Sequence, residues 1–229
     1  MKYYKVVDEI KGSVKIDTKQ SNYSTTLINK LLHQKLIQII CDSSKKLNIP
    51  LDIYFTLNNN IAMGGNDYLT TFPIALNGFY NVSNLTASPN IVHFKIPEID
   101  LRKFISDIDD NQIYFFAEGY YLWEYIYEQS RAANYSHLPA REDSFFLFEN
   151  ISDCEYYIKT HKGFGKICEV ELLTTTALFR GDMNILDEIP NYLSYKQTLH
   201  SADRYWKGLS SAKPVYEILF QGSCILKEI

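Results

Sequence analysis

The sequence has no uncharged apolar run approaching the roughly 18 residues that a membrane span needs. Its start, Met1-Lys2-Tyr3-Tyr4-Lys5, is not followed by an apolar h-region, so no signal peptide is expected. Cysteine is scarce. Cys41, Cys154, Cys168 and Cys224 include no pair at metal-knuckle spacing, which excludes CxxC chemistry and predicts reduced, mostly buried thiols. No GxGxxG occurs, and Gly64-Gly65 lacks the flanks of a P-loop. There is no Gly-x-Ser-x-Gly elbow, and the five His are scattered without HExxH spacing. A serine hydrolase and a zinc enzyme are therefore not expected, and no metal site is assigned. Charge of one sign is not in excess either. With 23 basic against 27 acidic residues the net charge is −4, which argues against a surface that grips nucleic acid throughout. No internal repeat is seen.

What is present is a globular balance of 46% apolar and 22% charged residues over 229 positions, enough for one large domain or two small ones. Aromatics are abundant, at 18 Tyr and 13 Phe, and suit both a core and stacking sites for flat ligands. Residues 1–46 carry nine Lys against four acids. That excess reads either as a solvated basic face or as an anion-binding surface.

Along the chain, Tyr3–Val7 reads as a strand. Residues 25–46 read as a helix, with Leu27, Leu31, Leu32, Leu36, Ile39 and Ile40 at helical spacing. Strands are expected at 51–57, 91–96 and 112–117, and helices at 98–109 and 119–133. Residues 58–90 form a loop-rich excursion within a single domain spanning 1–229. Ser144–Phe148 is a buried-strand pattern, and Ser152-Asp153-Cys154-Glu155 has capping-box spacing. Strands at 166–173 and near Ala177–Arg180 follow, then helices near 184–196 and 198–206. Two final strands, Val215–Phe220 and Cys224–Glu228, are joined at Gln221-Gly222-Ser223. The mixture predicts an α+β protein with mostly antiparallel pairing.

Three groups of residues invite chemistry. Strand alternation places Glu217 with Val215 and Leu219, so it is either a poorly solvated working carboxylate or an edge-strand Glu leaning into water. Tyr205 and Trp206 form either a stacking wall or a helix end packed on the core. Arg141 offers a fork suited to phosphate, and Ser144 a hydroxyl at a strand start, although such residues are also frequent on surfaces.

In order and spacing, Glu128-Gln129-Ser130-Arg131, Arg141-x-x-Ser144-x-Phe146, Gly181-Asp182-Met183-Asn184, Tyr205-Trp206-Lys207-Gly208 and Pro214-x-x-Glu217-Ile218-Leu219 resemble a bacterial family of unassigned function in the ADP-ribosyltransferase-like superfamily. The resemblance covers about residues 119–229. It implies a split, bent β-sandwich with helices packed around it, clamping NAD and transferring ADP-ribose to a target with release of nicotinamide. Glu217 then matches the catalytic carboxylate that stabilises charge at the anomeric carbon, and Tyr205 the stacking aromatic. Arg141, Ser144 and Trp206 fall on the NAD-contacting side. Tyr4 and Lys5 fall on the first strand, where such proteins often carry His after the Tyr pair. Lysine donates hydrogen bonds but accepts none and has no planar ring. The implied role is a bacterial toxin or injected effector, cytoplasmic or delivered without a cleaved signal. Its target is a protein by default, with nucleic acid as the second class, and an antitoxin or host protein is a further partner. The rival reading is a catalytically inactive binding module of the same fold.

Overall fold

The computed structural model describes residues 2–24, 30–48, 51, 78–83, 93–100, 102, 103, 106, 120–187 and 195–229. The chain divides into two compact units. One comprises Met1–Leu27, Tyr127–Glu188 and Ser201–Ile229; the other comprises Ile28–Ile126 and Ile189–His200. Among the described residues no helix is long and apolar enough to cross a membrane.

Strands β1 (Tyr3–Val7), β2 (Ser13–Asp17), β5 (Phe145–Phe148), β6 (Lys166–Asp182) and β7 (Tyr216–Glu228) belong to the first unit. All their pairings are antiparallel. One edge of β7 takes β5 along Glu217–Phe220 and β2 along Ser223–Lys227. Its other edge takes β6 from Tyr216 to Glu228. The start of β6 pairs with β1, and β1 meets β5 at Tyr4↔Phe148. The ring β1–β5–β7–β6 therefore closes into a small barrel, with β2 as a flap along β7. Closure leaves fewer exposed edges, the usual hazard of a small sheet. Tyr3, Phe145, Leu147, Cys168, Ile218 and Phe220 are among the residues that fill the interior.

Helices α2 (Tyr120–Asn134), α3 (Ile151–Tyr157), α4 (Asn184–Asp187) and α5 (Tyr195–Trp206) connect these strands, and α1 (Lys30–Leu47) lies earlier in the chain. A 3₁₀ turn at Arg141–Asp143 leads into β5, and a π-helical turn at Ile158–Lys162 extends α3. In the second unit β3 (Phe79–Ser83) and β4 (His93–Pro97) form a hairpin-like pair. The mixed helix-and-sheet class agrees with expectation. Residues 52–57 and 112–117, most of 58–90 and part of 98–109 lie outside the described residues; β3 is a strand within the stretch expected to be loop.

Four expectations need correction. The strands read at 166–173 and 177–180 are one strand of 17 residues. Bulges between Leu172 and Thr174 and between Thr175 and Ala177 interrupt the alternation there, which is why the pattern looked like two pieces. The last two strands are likewise one, Tyr216–Glu228. Gly222, at φ +145°, lets the ladder continue where a Cβ would strike the Thr174 carbonyl, so the apparent turn is a close backbone approach. Helix α3 starts at Ile151 and is capped by Asn150, whose Oδ1 accepts from Asp153 N at 2.8 Å. The cap falls two residues earlier than the capping-box spacing suggested. Finally, β2 was not anticipated: its burial pattern shows one buried residue in five, so it carries little apolar signal.

Candidate functional site

Glu217 sits on the barrel face opposite the core. Its neighbours in the ladder are Phe148 on one side and Gly181 on the other, and Phe148 in turn pairs with Tyr4. Directly opposed residues share a face, so Tyr4, Phe148, Glu217 and Gly181 form one row across four strands.

Three side chains converge there. The 3₁₀ turn before β5 delivers Arg141, and the last turn of α5 delivers Tyr205. Arg141 Nη1 donates to Tyr205 Oη at 2.8 Å and pairs with Glu217 Oε1. Tyr205 Oη donates to the same Oε1 at 2.6 Å. Arg141 and Glu217 are each 6% exposed, and Tyr205 is fully buried. Burial, more than the adjacent Glu217 charge, holds the Tyr205 hydroxyl well above its ordinary range, so it remains a donor. Arg141 also stacks on Phe146 at 5.0 Å and Tyr205 at 5.4 Å. Both donors address Oε1. Among the described residues none donates to Oε2. Among the described residues the carboxylate is thus held through one oxygen.

Gly181 explains why the tyrosine can lie so close. A Cβ there would overlap the Tyr205 ring, so only glycine admits the ring at this point of β6. No signal short of the structure picks out this requirement; in sequence Gly181 looks like a turn residue.

The remaining candidates are placed as follows. Ser144 is 1% exposed, and its Oγ donates to Ala140 O at 2.6 Å, which closes the turn that carries Arg141. Trp206 is 2% exposed. Its Nε1 donates to Tyr127 O at 2.8 Å, and its ring meets Tyr205 edge-on at 4.9 Å and 81°. The flat wall expected of Tyr205 and Trp206 is covered by their mutual packing and by Phe179, because a ring with one polar atom satisfied by backbone is at home in a core. Tyr4 shares the Glu217 row. Lys5 does not: its Nζ lies 4.6 Å over the Phe145 ring, and Phe145 belongs to the core on the inward face. Asp182, the nearest other carboxylate in sequence, is 1% exposed and accepts from the backbone N–H of Asn184, Ser211 and Val215. It anchors the segment before β7. No metal-holding cluster of His, Cys, Asp and Glu occurs among the described residues.

Fold and site together define an α+β protein with a small β-barrel whose outer face carries a buried Arg–Tyr–Glu cluster. Residues 57–229 match a protein family of unknown function, DUF2441, and the chain belongs to that family. The match begins well before residue 119 and takes in all three members of the cluster. No curated protein matches the chain.

Proposed function

We propose that the protein is an NAD-dependent ADP-ribosyltransferase of the toxin or effector kind, carrying ADP-ribose from NAD to a protein and releasing nicotinamide. The observation that carries this reading is the carboxylate held through one oxygen: Glu217 Oε1 is locked by Arg141 and Tyr205, while Oε2 takes no donor among the described residues. An anion held in one orientation in a place of low dielectric stabilises positive charge that develops nearby, with no reorganisation at the moment of reaction. Breaking the bond from the anomeric carbon to nicotinamide develops such a charge, as in glycoside hydrolysis. The row from Glu217 through Phe148 to Tyr4 supplies an aromatic edge beside it. The bent-sandwich form of the fold, the toxin or effector role, and an antitoxin or host protein as partner belong to this proposal, with nucleic acid as the second target class.

The test is nicotinamide release from NAD by the purified protein. Glu217→Gln is expected to lower it by about 10²–10³, the usual effect of losing one transition-state electrostatic contact. NAD binding is expected to change far less, since the charge appears only on the way to the transition state. Tyr205→Phe keeps the Arg141–Glu217 pair and removes one donor; a fall of about tenfold is expected from a lost charge-assisted hydrogen bond. Absence of both nicotinamide release and any NAD contact in saturation-transfer NMR would sink the reading.

The second reading, a non-catalytic module, draws on the burial of the cluster. With Arg141 and Glu217 each 6% exposed and Trp206 2%, the three residues lock α5 and the 3₁₀ turn onto the barrel. Lowered thermal stability of Glu217→Gln, without any NAD-dependent activity in the parent, is its signature.

A further inference from the structure

His161 and Asp187 form an imidazole–carboxylate pair whose place in the fold ties it to Glu217. In the ladder Glu217 is flanked by Phe148 on β5 and Gly181 on β6. Strand β5 runs on into α3, and β6 into α4. The two helices are joined from one flank of Glu217 to the other. Tyr156 Oη donates to Asn184 Oδ1 at 3.0 Å, and His161 Nε2 lies 3.1 Å from Asp187 Oδ2. Asn184 Nδ2 also donates to Lys213 O, just ahead of β7. Arg141 and Tyr205 come from the other direction. Their ring neighbours Phe146 and Phe179 both pair with Leu219, two residues further along β7. The carboxylate therefore lies between the two groups.

A run of rings connects the Glu217 row to the imidazole. Phe148 meets the Tyr157 ring at 5.4 Å, and Tyr157 stacks on His161 at 5.6 Å and 22°. No residue of the π-helical turn is buried, and the His161 side chain is one-third exposed, so a target side chain can reach it. Nε2 faces Asp187, so in the neutral ring Nδ1 holds the lone pair. A carboxylate that fixes the tautomer and steadies the imidazolium is the arrangement in which imidazole serves as a base.

We propose that His161, oriented by Asp187, is the general base for the acceptor of ADP-ribose, and that the acceptor is an alcohol side chain, serine or threonine. The inference rests on the transferase reading of Glu217. A carboxylate acceptor has no proton to remove, and a guanidinium holds its proton too tightly for imidazole. An alcohol becomes acidic only as its oxygen bonds to carbon, where a base acting near neutral pH is effective. The alcohol oxygen bonds to the anomeric carbon as the bond from that carbon to the nicotinamide nitrogen breaks. The electron pair of the broken bond neutralises the pyridinium, so nicotinamide leaves uncharged. The alcohol proton passes to His161 Nδ1 and from there to water.

The titratable and charged groups about the imidazole are Asp187 on α4, Glu217 on β7, Tyr156 and Tyr157 on α3, and on its own turn Lys162, which is paired with Asp8 at 2.6 Å. Burial first, then Asp187 for Tyr156 and Glu217 for Tyr157, raise both phenols above their ordinary range, which leaves the imidazole as the group that changes charge near neutrality.

The test incubates the full chain with NAD and methanol, a small alcohol that needs no target recognition, and measures nicotinamide and methyl ADP-riboside from about pH 5.5 to about pH 9. Formation of the riboside is expected to rise with pH as the imidazole loses its proton, with a midpoint above 6.5. His161→Ala is expected to lose about 10²-fold together with the rising limb, and free imidazole to restore part of the rate. Asp187→Asn keeps the base and is expected to move the limb to lower pH, because the hydrogen bond to Asp187 is what raises the imidazole. A parent that releases no nicotinamide overturns the transferase reading and this inference together. Nicotinamide release that is lost in Glu217→Gln but unchanged in rate and pH profile in His161→Ala overturns the base alone. So does a loss in His161→Ala that imidazole leaves unrestored, with the limb unmoved in Asp187→Asn, since His161 is then a structural residue.

Discussion

Arg141 and Glu217 show how one residue changes meaning with its partner. Considered alone, a poorly solvated carboxylate is relieved by conversion to an amide, and Glu217→Gln is expected to leave the fold intact. The structure reverses that expectation, since the change removes the negative member of a buried ion pair whose guanidinium is 6% exposed. Removing one member of a buried pair costs about 3–5 kcal/mol, whereas replacing both with apolar residues of similar size is often neutral. Arg141→Met is accordingly expected to lose about 3–5 kcal/mol in urea unfolding, and the double variant Arg141→Met, Glu217→Leu to recover most of it. A double variant no better than Arg141→Met would mean that the pair does not account for the loss. Glu217 was legible in sequence through its alternation with Val215 and Leu219, and Arg141 and Tyr205 through motif order. Their convergence on one oxygen was not, because it depends on a helix end 64 residues after Arg141 folding back over Gly181.

Among the elements, the π-helical turn after α3 carries a titratable latch. His161 Nε2 lies 3.1 Å from Asp187 Oδ2 on α4, and the ring stacks on Tyr157 at 5.6 Å. The hydrogen bond to Asp187, opposed by burial, raises the imidazole above its ordinary value of 6.5. The protonated form is the one the fold favours, so the contribution is complete below the unfolded value and is lost as pH rises through the folded one. With each side chain about one-third exposed, solvent screening keeps it to a few tenths of a kcal/mol. NMR titration should find His161 above 6.5, and Asp187→Asn should bring it down; an unshifted imidazole in the parent would remove the latch. Element identity was read well wherever apolar period and burial agree, as at β1, β5 and α2. It failed where bulges interrupt the period in β6, where Gly222 imitates a turn, and where β2 shows one buried position in five. These are consequences of long-range pairing, which a local window does not contain.

For the molecule as a whole, the barrel is closed by its most distant parts. Strand β1 pairs with β5 and β6, and β2 pairs with the end of β7, across separations such as Thr18 to Gly222. Such closure requires long loops to be ordered before their contacts reward it, which makes folding slow and cooperative. Deleting residues 1–17 removes β1 and β2 together and is expected to abolish the cooperative unfolding transition of the first unit in circular dichroism; a sharp transition at the parent's temperature would show that β5, β6 and β7 stand alone. The same closure has a chemical side. Cys154, Cys168 and Cys224 are free and fully buried, and burial pushes Cys154 up to about 12 and Cys224 to about 11. Thiolate is the reactive form, so in the closed barrel these three sulfurs are shielded twice, from contact and from ionisation. Half-buried Cys41 answers an alkylating reagent on a different schedule. The four thiols therefore act as an internal clock: one reports the resting protein, and three record each occasion on which the barrel opens.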